Sequence, residues 1–295
     1  MNSTYNKSYK EKSFLSTQNI ILASLSLGIL AVLYFLLFSA EIPTPEGLRR
    51  PVWYRIGTYI FEISAFLFAS YLCFKNWSSR KIVIGRHVWL TIGIGMLSYA
   101  LGDIFFGYHE IILKKEPIIS TGDIFFVITY LSVGLGMILT VVSRKINLEV
   151  WQWIIVLSIG IVGSVFAWVI SSTINNQDSG LAQLSPLLQR MYYFVNWFYV
   201  VSDVLLVMIA TTVLFAFWGG KLAMSWRMIA IASFFLYIAD MWFKYASSSN
   251  PDYQSGHLLE VFWVLSAVSF GMGAAFEYDA SLSRSRRERG GRKRV

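Results

Sequence analysis

The chain is a succession of apolar runs of about 20 residues, the length at which a helix crosses the hydrocarbon core of a bilayer, separated by shorter polar stretches. Eight such runs stand out, at residues 20–39, 54–74, 88–107, 122–142, 151–170, 191–215, 226–245 and 259–277. In lipid each backbone N–H and C=O must find its partner within its own segment, so the runs predict eight helices. The first run follows a lysine-bearing polar stretch and so also fits a signal peptide. It is longer than a signal's apolar core, and bulky Phe38 stands where a cleavage site ending at Ala40 needs a small residue, so the expectation is a retained helix.

Composition agrees with the pattern. Of 295 residues, 56% are hydrophobic and 17% aromatic against 14% charged, too few polar residues to cover a water-facing surface. A single cysteine, Cys73, excludes a disulfide framework and any cysteine-based zinc or iron–sulfur site. The net charge of +8 would suggest nucleic acid in a soluble protein, but the positions of the charges give it another meaning. Of the 25 Lys and Arg residues, 18 fall in the two termini and the even-numbered connections and 7 on the opposite side. The positive-inside rule therefore predicts that both termini are cytoplasmic, as an even number of spans requires. Seven of the basic residues lie in the tail from Ser283 to Val295. That tail reads as an orientation signal drawn to anionic headgroups, with docking to a partner or nucleic acid as the alternative.

Sliding the chain along itself by 137 residues lays 87–136 over 224–273 with eleven identities in 50 positions. Among them are Trp89/Trp226, Ile92/Ile229, Asp103/Asp240, Phe106/Phe243, Gly134/Gly271 and Gly136/Gly273, and Asp123 falls on Glu260. Extending the match to the preceding helix, with a shift of about four residues in the loop, sets Glu62 opposite Asp203. The organisation this predicts is an all-α membrane protein of eight transmembrane helices in two parallel four-helix repeats. Its parts are an N-terminal tail (1–19), the two repeats (20–145 and 146–277) and a basic tail (278–295).

Each repeat carries three acids inside its helices: Glu62, Asp103 and Asp123 in the first, Asp203, Asp240 and Glu260 in the second. An ionisable group at the centre of a membrane helix costs at least about 2.5–3.5 kcal/mol and usually faces a bundle interior or a wet cavity. With the predicted orientation all six lie in the outer half of the bilayer, so the expected object is an acidic, externally open basin in each half, or one along the interface between the halves. Structural explanations compete for four of them. Asp123 and Glu260 sit in first turns, where an acid complements the helix dipole, and Ser120-Thr121-Gly122-Asp123 looks like a capping run. Asp240 has Lys244 one turn away as an ion-pair partner, and Asp103 belongs to the same shallow layer. Glu62 and Asp203 have no such partner and are the best candidates for a ligand or proton site.

His109 and His257 lie on the acidic side, and a divalent cation held by His109, Asp103 and Asp123, or by His257, Asp240 and Glu260, is chemically reasonable though weakly signalled. His87 reads as interfacial. No two histidines share mid-membrane depth for a bis-His haem, and Lys244 lies too near a helix end for a retinal Schiff base. No phosphate-loop, dinucleotide-binding, HExxH or GxSxG motif is present. The sequence therefore names no cofactor, although a Trp- and Tyr-lined pocket for a lipid or pigment stays open beside the interfacial-belt reading of those aromatics.

The run Leu101-Gly102-Asp103-Ile104-Phe105-Phe106-Gly107-Tyr108, followed by Glu116-Pro117 and Ser120-Thr121-Gly122-Asp123-Ile124-Phe125-Phe126-Val127-Ile128-Thr129-Tyr130, resembles the polytopic membrane input regions of bacterial, notably cyanobacterial, and archaeal signalling proteins. The matching positions are Gly102, Asp103, Tyr108, Pro117, Ser120, Asp123, Phe125 and Tyr130. Gly122 stands where that family has alanine, and Phe126 where it has tyrosine. The resemblance implies a sensor that normally precedes a GGDEF, EAL or histidine-kinase module. Here about 18 residues follow the last span, so the expectation is a free-standing version acting through a separate protein.

Three functions follow as expectations. The first is a non-enzymatic sensor whose acids bind a small ligand, cation or protons, in the cytoplasmic membrane, possible as a homo-oligomer and without nucleic acid as a partner. The second is a secondary transporter of a cation or cationic solute, and the third an accessory or assembly subunit of a larger membrane complex. The topology is checked by reporter fusions. Green fluorescent protein at the C-terminus is expected to fluoresce and alkaline phosphatase there to be inactive; the reverse pair overturns the orientation.

Overall fold

The computed structural model describes residues 17–292 apart from 46, 80–81, 83–84, 115–119, 144–147, 175–184, 220–221 and 251–252. Lys7, Lys10 and Lys12 of the N-terminal stretch, Glu116 and Pro117 of the motif, the connection residues Arg80, Lys81, Lys115, Arg144, Lys145 and Lys221, and Lys293 and Arg294 of the tail lie outside the described residues.

Eight helices are long and apolar enough to cross a membrane. They are α1 (Thr17–Phe38), α2 (Val52–Ser78), α3 (Arg86–Gly107), α4 (Thr121–Ser143), α5 (Val150–Ile174), α6 (Pro186–Ala216), α7 (Ala223–Ser249) and α8 (Val261–Arg292). Local chemistry sets several of their ends. Pro186 opens α6 at a position where its missing N–H is no loss, and the Ser185 side chain accepts from Leu188 N. Gly85, at a φ of 86° that favours glycine, precedes α3.

Three features depart from the pattern of apolar runs. A short antiparallel hairpin, β1 (Ile42–Thr44) with β2 (Gly47–Arg49), joins α1 to α2. A π-helical turn, Tyr108–Ile112, prolongs α3. The last helix continues to Arg292, so the boundary expected at 277 falls inside one unbroken element. Hydropathy ends a span where polar residues begin, but a helix stops only where its backbone hydrogen bonding stops.

Six helices close a ring in the order α2, α3, α4, α6, α7, α8 and back to α2, while α1 packs outside on α8 and α2, and α5 outside on α6 and α7. The two ends of the bundle differ. The hairpin end carries the 41–50 and 250–257 connections, and the tail end carries the extension of α8. Trp89, Ile92, Met96, Met137, Trp226 and Ile229 fill the core toward the tail end and are fully buried.

Contacts in the ring recur at the spacing of 137. Thr129 Oγ1 donates to the Gly95 carbonyl at 3.0 Å, and Ser266 Oγ donates to the Ala232 carbonyl at 2.8 Å. Residues matched by the shift also touch each other: the rings of Trp89 and Trp226 lie 6.4 Å apart and those of Phe106 and Phe243 5.8 Å apart. At Gly136 a methyl group would stand 2.8 Å from Ile92 and 3.2 Å from the Val88 carbonyl; at Gly273 it would stand 2.9 Å from Ile229 and 3.1 Å from the Ser225 carbonyl. Both glycines let a helix approach its neighbour's backbone, the usual basis of close packing in lipid. Gly136→Ala and Gly273→Ala are therefore each expected to destabilise the protein by about 1–3 kcal/mol. Thermal unfolding in detergent checks this, and an unchanged midpoint in either variant removes the close-approach argument for that helix pair.

Candidate functional site

The acids gather toward the hairpin end, where α2, α3, α4, α6, α7 and α8 meet. Residues 253–257, between α7 and α8, cross this end as a strap. The Arg50 backbone N–H donates to Gln254 Oε1 at 3.1 Å and its guanidinium to the Gln254 carbonyl at 2.7 Å. Tyr54 Oη donates to the Gly256 carbonyl at 2.7 Å. Gly256 has a φ of 103°, and a methyl group there would stand 2.8 Å from the Tyr54 ring, so glycine is required twice over.

Two carboxylates are built into the strap. Glu110, on the π-helical turn, accepts from Arg55 Nη1 at 3.0 Å, from the Ser255 backbone N–H at 3.0 Å and from the Tyr59 hydroxyl. Glu260 accepts from the Gly256 N–H at 2.5 Å and from the Tyr253 hydroxyl. Burial beside the Glu260 charge pushes the Tyr253 phenol up, so it stays a donor. Burial, with the Arg50 charge nearby, holds His257 below the ordinary imidazole value. A neutral ring leaves Nδ1 free to accept from Leu259 N at 3.2 Å, while the imidazole stacks on Trp242 with centroids 4.2 Å apart.

Deeper in the ring the Tyr130 hydroxyl, from α4, lies within hydrogen-bond reach of two carboxyls from the other half of the chain. These are Asp203 Oδ1 on α6, at 2.6 Å, and Asp240 Oδ2 on α7. The phenol has one proton, so it donates to one of them. The second contact is a hydrogen bond only if the other carboxyl is protonated and donates back. Trp263 Nε1 holds Asp240 Oδ1 at 2.7 Å. Asp123 accepts from the Ser120 N–H at 2.7 Å and from Tyr199 Oη at 2.8 Å, so its capping role is combined with a bond from α6.

Glu62 and Asp103 are different. Both are buried, with 4% exposure each. Among the described residues no donor reaches Glu62, and Asp103 Oδ2 has no partner, a lack that Asp203 Oδ2 shares. Glu62 feels the charges of Asp103, Glu260 and Glu110, and Asp103 feels that of Asp240.

The structure thus draws all six predicted acids into one region but corrects their setting. They line a closed seam, with Glu62, Asp103, Asp203 and Glu260 buried, instead of an open basin. Glu62 and Asp203, expected as a matched pair, belong to different parts of it. Lys244 does not pair with Asp240, whose oxygens are occupied by Tyr130 and Trp263; its amine donates to the Asn196 carbonyl at 3.3 Å. The metal sets built on His109 and His257 are not assembled. His109 Nδ1 bonds the Phe105 carbonyl of its own helix at 2.8 Å, and no group of three His, Cys, Asp or Glu among the described residues is placed to hold a metal ion.

Sequence reasoning missed the donors. Glu110 also escapes it, because the π-helical turn that buries this acid has no hydropathy signal. Tyr130 did carry a signal, since it is the last matching position of the motif. An apolar groove of about 470 Å3 between α5, α6 and α7, lined by residues such as Ile155, Phe166, Val207 and Phe234, includes none of the acids. Compared with known proteins, the chain matches no family model, no curated protein and no solved structure.

Tyr130→Phe removes the donor shared by Asp203 and Asp240 and is expected to cost about 1–3 kcal/mol. Tyr199→Phe should cost less, because Asp123 keeps the Ser120 amide. Melting temperatures of the two variants in the same detergent check the order, and equal losses would count against a special role for Tyr130.

Proposed function

We propose that the chain is a multi-pass protein of a bacterial or archaeal cytoplasmic membrane, with both termini cytoplasmic and the hairpin end outside. It consists of two parallel four-helix repeats and works as a sensor that responds to protons at the seam between them. Both termini of the bundle core support the repeat. The hydroxyl-to-carbonyl and glycine contacts recur at 137, and matched residues that touch each other, Trp89 with Trp226 and Phe106 with Phe243, would mark a pseudo-twofold axis along the membrane normal.

The single observation that carries the reading is Tyr130 between Asp203 and Asp240. A hydroxyl of the first repeat meets two carboxyls of the second, and the number of protons there decides whether both contacts attract. Losing the shared proton leaves a carboxylate oxygen facing a phenol oxygen that has no hydrogen to offer it. The packing of one repeat on the other is thereby linked to external pH. A ligand shifts such an equilibrium only by its difference in affinity for the two packings, and a buried carboxyl with one partner in one packing and water in another supplies that difference.

The distribution of polar groups favours sensing over transport. Toward the cytoplasmic end the core is Trp89, Ile92, Met96, Trp226 and Ile229, and the hydroxyls of Ser70, Thr140, Ser225 and Ser233 donate to backbone carbonyls. The next buried acid along α8, Glu277, lies 17 residues beyond Glu260, roughly 25 Å of helix. A sensor needs no through route, and the resemblance of the Gly102–Tyr130 region to signalling input regions points the same way, with a separate cytoplasmic protein as the partner.

The test is intrinsic tryptophan fluorescence in nanodiscs across pH. Wild type is expected to show a titration that the Glu62→Gln/Asp203→Asn double variant loses. Identical, flat curves overturn the sensor, and solute uptake by proteoliposomes under an imposed proton or sodium gradient would favour the transporter instead.

A further inference from the structure

The seam contains carboxyls of two kinds, and their order suggests how a proton reaches Tyr130. Glu110 and Glu260 are each fixed by two or more donors at the hairpin end. Asp203 and Asp240 are fixed by Tyr130 and Trp263 deeper in. Beside them stand Glu62 and Asp103, both nine-tenths or more buried; among the described residues Asp103 Oδ2 has no partner, and Asp203, held through Oδ1, likewise has its Oδ2 unpartnered. A buried carboxyl oxygen left without a donor costs about 1–3 kcal/mol or more. That cost vanishes when the oxygen carries its own proton.

The charged and titratable groups facing Glu62 come from every side. Asp103 and Tyr99 lie on α3, Glu110 on the π-helical turn, Glu260 at the start of α8, and Tyr54 and Tyr59 on α2 itself. Arg55, the nearest base on α2, is spent on Glu110. The strap lies across this group from the outer side, held by Arg50 to Gln254 and by Tyr54 to Gly256.

We infer that Glu62 and Asp103 form a proton relay, reached from outside beneath the 253–257 strap, that delivers protons to the Asp240–Tyr130–Asp203 cluster. Each step moves one proton from a carboxyl to a neighbouring carboxylate, directly or across one water, and changes no other bond. Glu62 is the obligatory acceptor, Asp103 the transfer group, and the strap governs access. The inference deepens the proton-sensing reading, and its test does not depend on a change of conformation.

Wild-type protein in nanodiscs is transferred to D2O, and the infrared carboxyl band lost in Asp240→Asn is followed as it exchanges. Glu62→Gln is expected to slow exchange about tenfold or more. Glu62→Asp should restore most of the rate, and Arg50→Ala, which frees the strap, should raise it. Unchanged exchange in Glu62→Gln overturns the relay. If that variant does not fold, unchanged exchange in Arg50→Ala overturns it instead. A protein whose fluorescence is flat with pH but whose exchange requires Glu62 would lose the sensor and keep the relay.

Discussion

The Tyr130 hydroxyl has one hydrogen to give and two carboxyl oxygens within reach, from helices α6 and α7. Polar contacts on the neighbouring helices bear on that shortage. Trp263 removes part of the demand by holding the far oxygen of Asp240, and Tyr199 ties Asp123 to α6 on the neighbouring turn. Toward the hairpin end the same join between the two halves of the chain is made by Glu110, which takes Arg55 from its own half and the Ser255 amide from the other. The halves therefore meet through hydrogen bonds whose number depends on protonation, where an apolar contact would have been indifferent to it.

Such a seam is expensive, and the tail end of the ring offsets it. Breaking a buried charged pair is costly, while replacing it by apolar groups is often neutral or better, so polar seams are poor evidence of stability. The remaining core supplies what the seam does not. Large rings pack across the ring at Trp89 and Trp226, and Gly136 and Gly273 bring helix backbones into direct contact. The division is physical: close packing at one end is indifferent to protonation, while the hydrogen bonds of the carboxyl region depend on it.

The eight helices were legible because a hydrocarbon environment demands long apolar runs and leaves few alternatives. The acids were legible for the converse reason, since Glu62 and Asp203 stand out only against that background. Orientation along a helix was not legible. Lys244 sits one turn from Asp240 and on paper should pair with it, but the choice was made by Trp263 and Tyr130, which are distant in sequence. His109 is a similar case, its Nδ1 bonded to the Phe105 carbonyl on the preceding turn of its own helix. The hairpin and the π-helical turn depend on local backbone geometry that hydropathy does not encode, and with the turn went Glu110.

The spacing of 137 also shows which donors beside the acids have no counterpart. Tyr130 corresponds to Ala267 and Trp263 to Phe126. Asp203 has the Tyr130 hydroxyl facing it from α4, whereas the position on α8 matched to Tyr130 is an alanine with no hydrogen to give. Asp240 has an indole N–H, whereas Asp103 has a phenyl ring at the matching place. Acids stand at matched positions, but the Tyr130 and Trp263 donors have no matched counterpart. Asp203 and Asp240 are thereby each held through one oxygen by a side-chain donor, while Asp103 Oδ2 is left without one among the described residues. The two halves of the chain thus differ at two matched pairs, Tyr130/Ala267 and Phe126/Trp263, that decide which acids meet a side-chain donor.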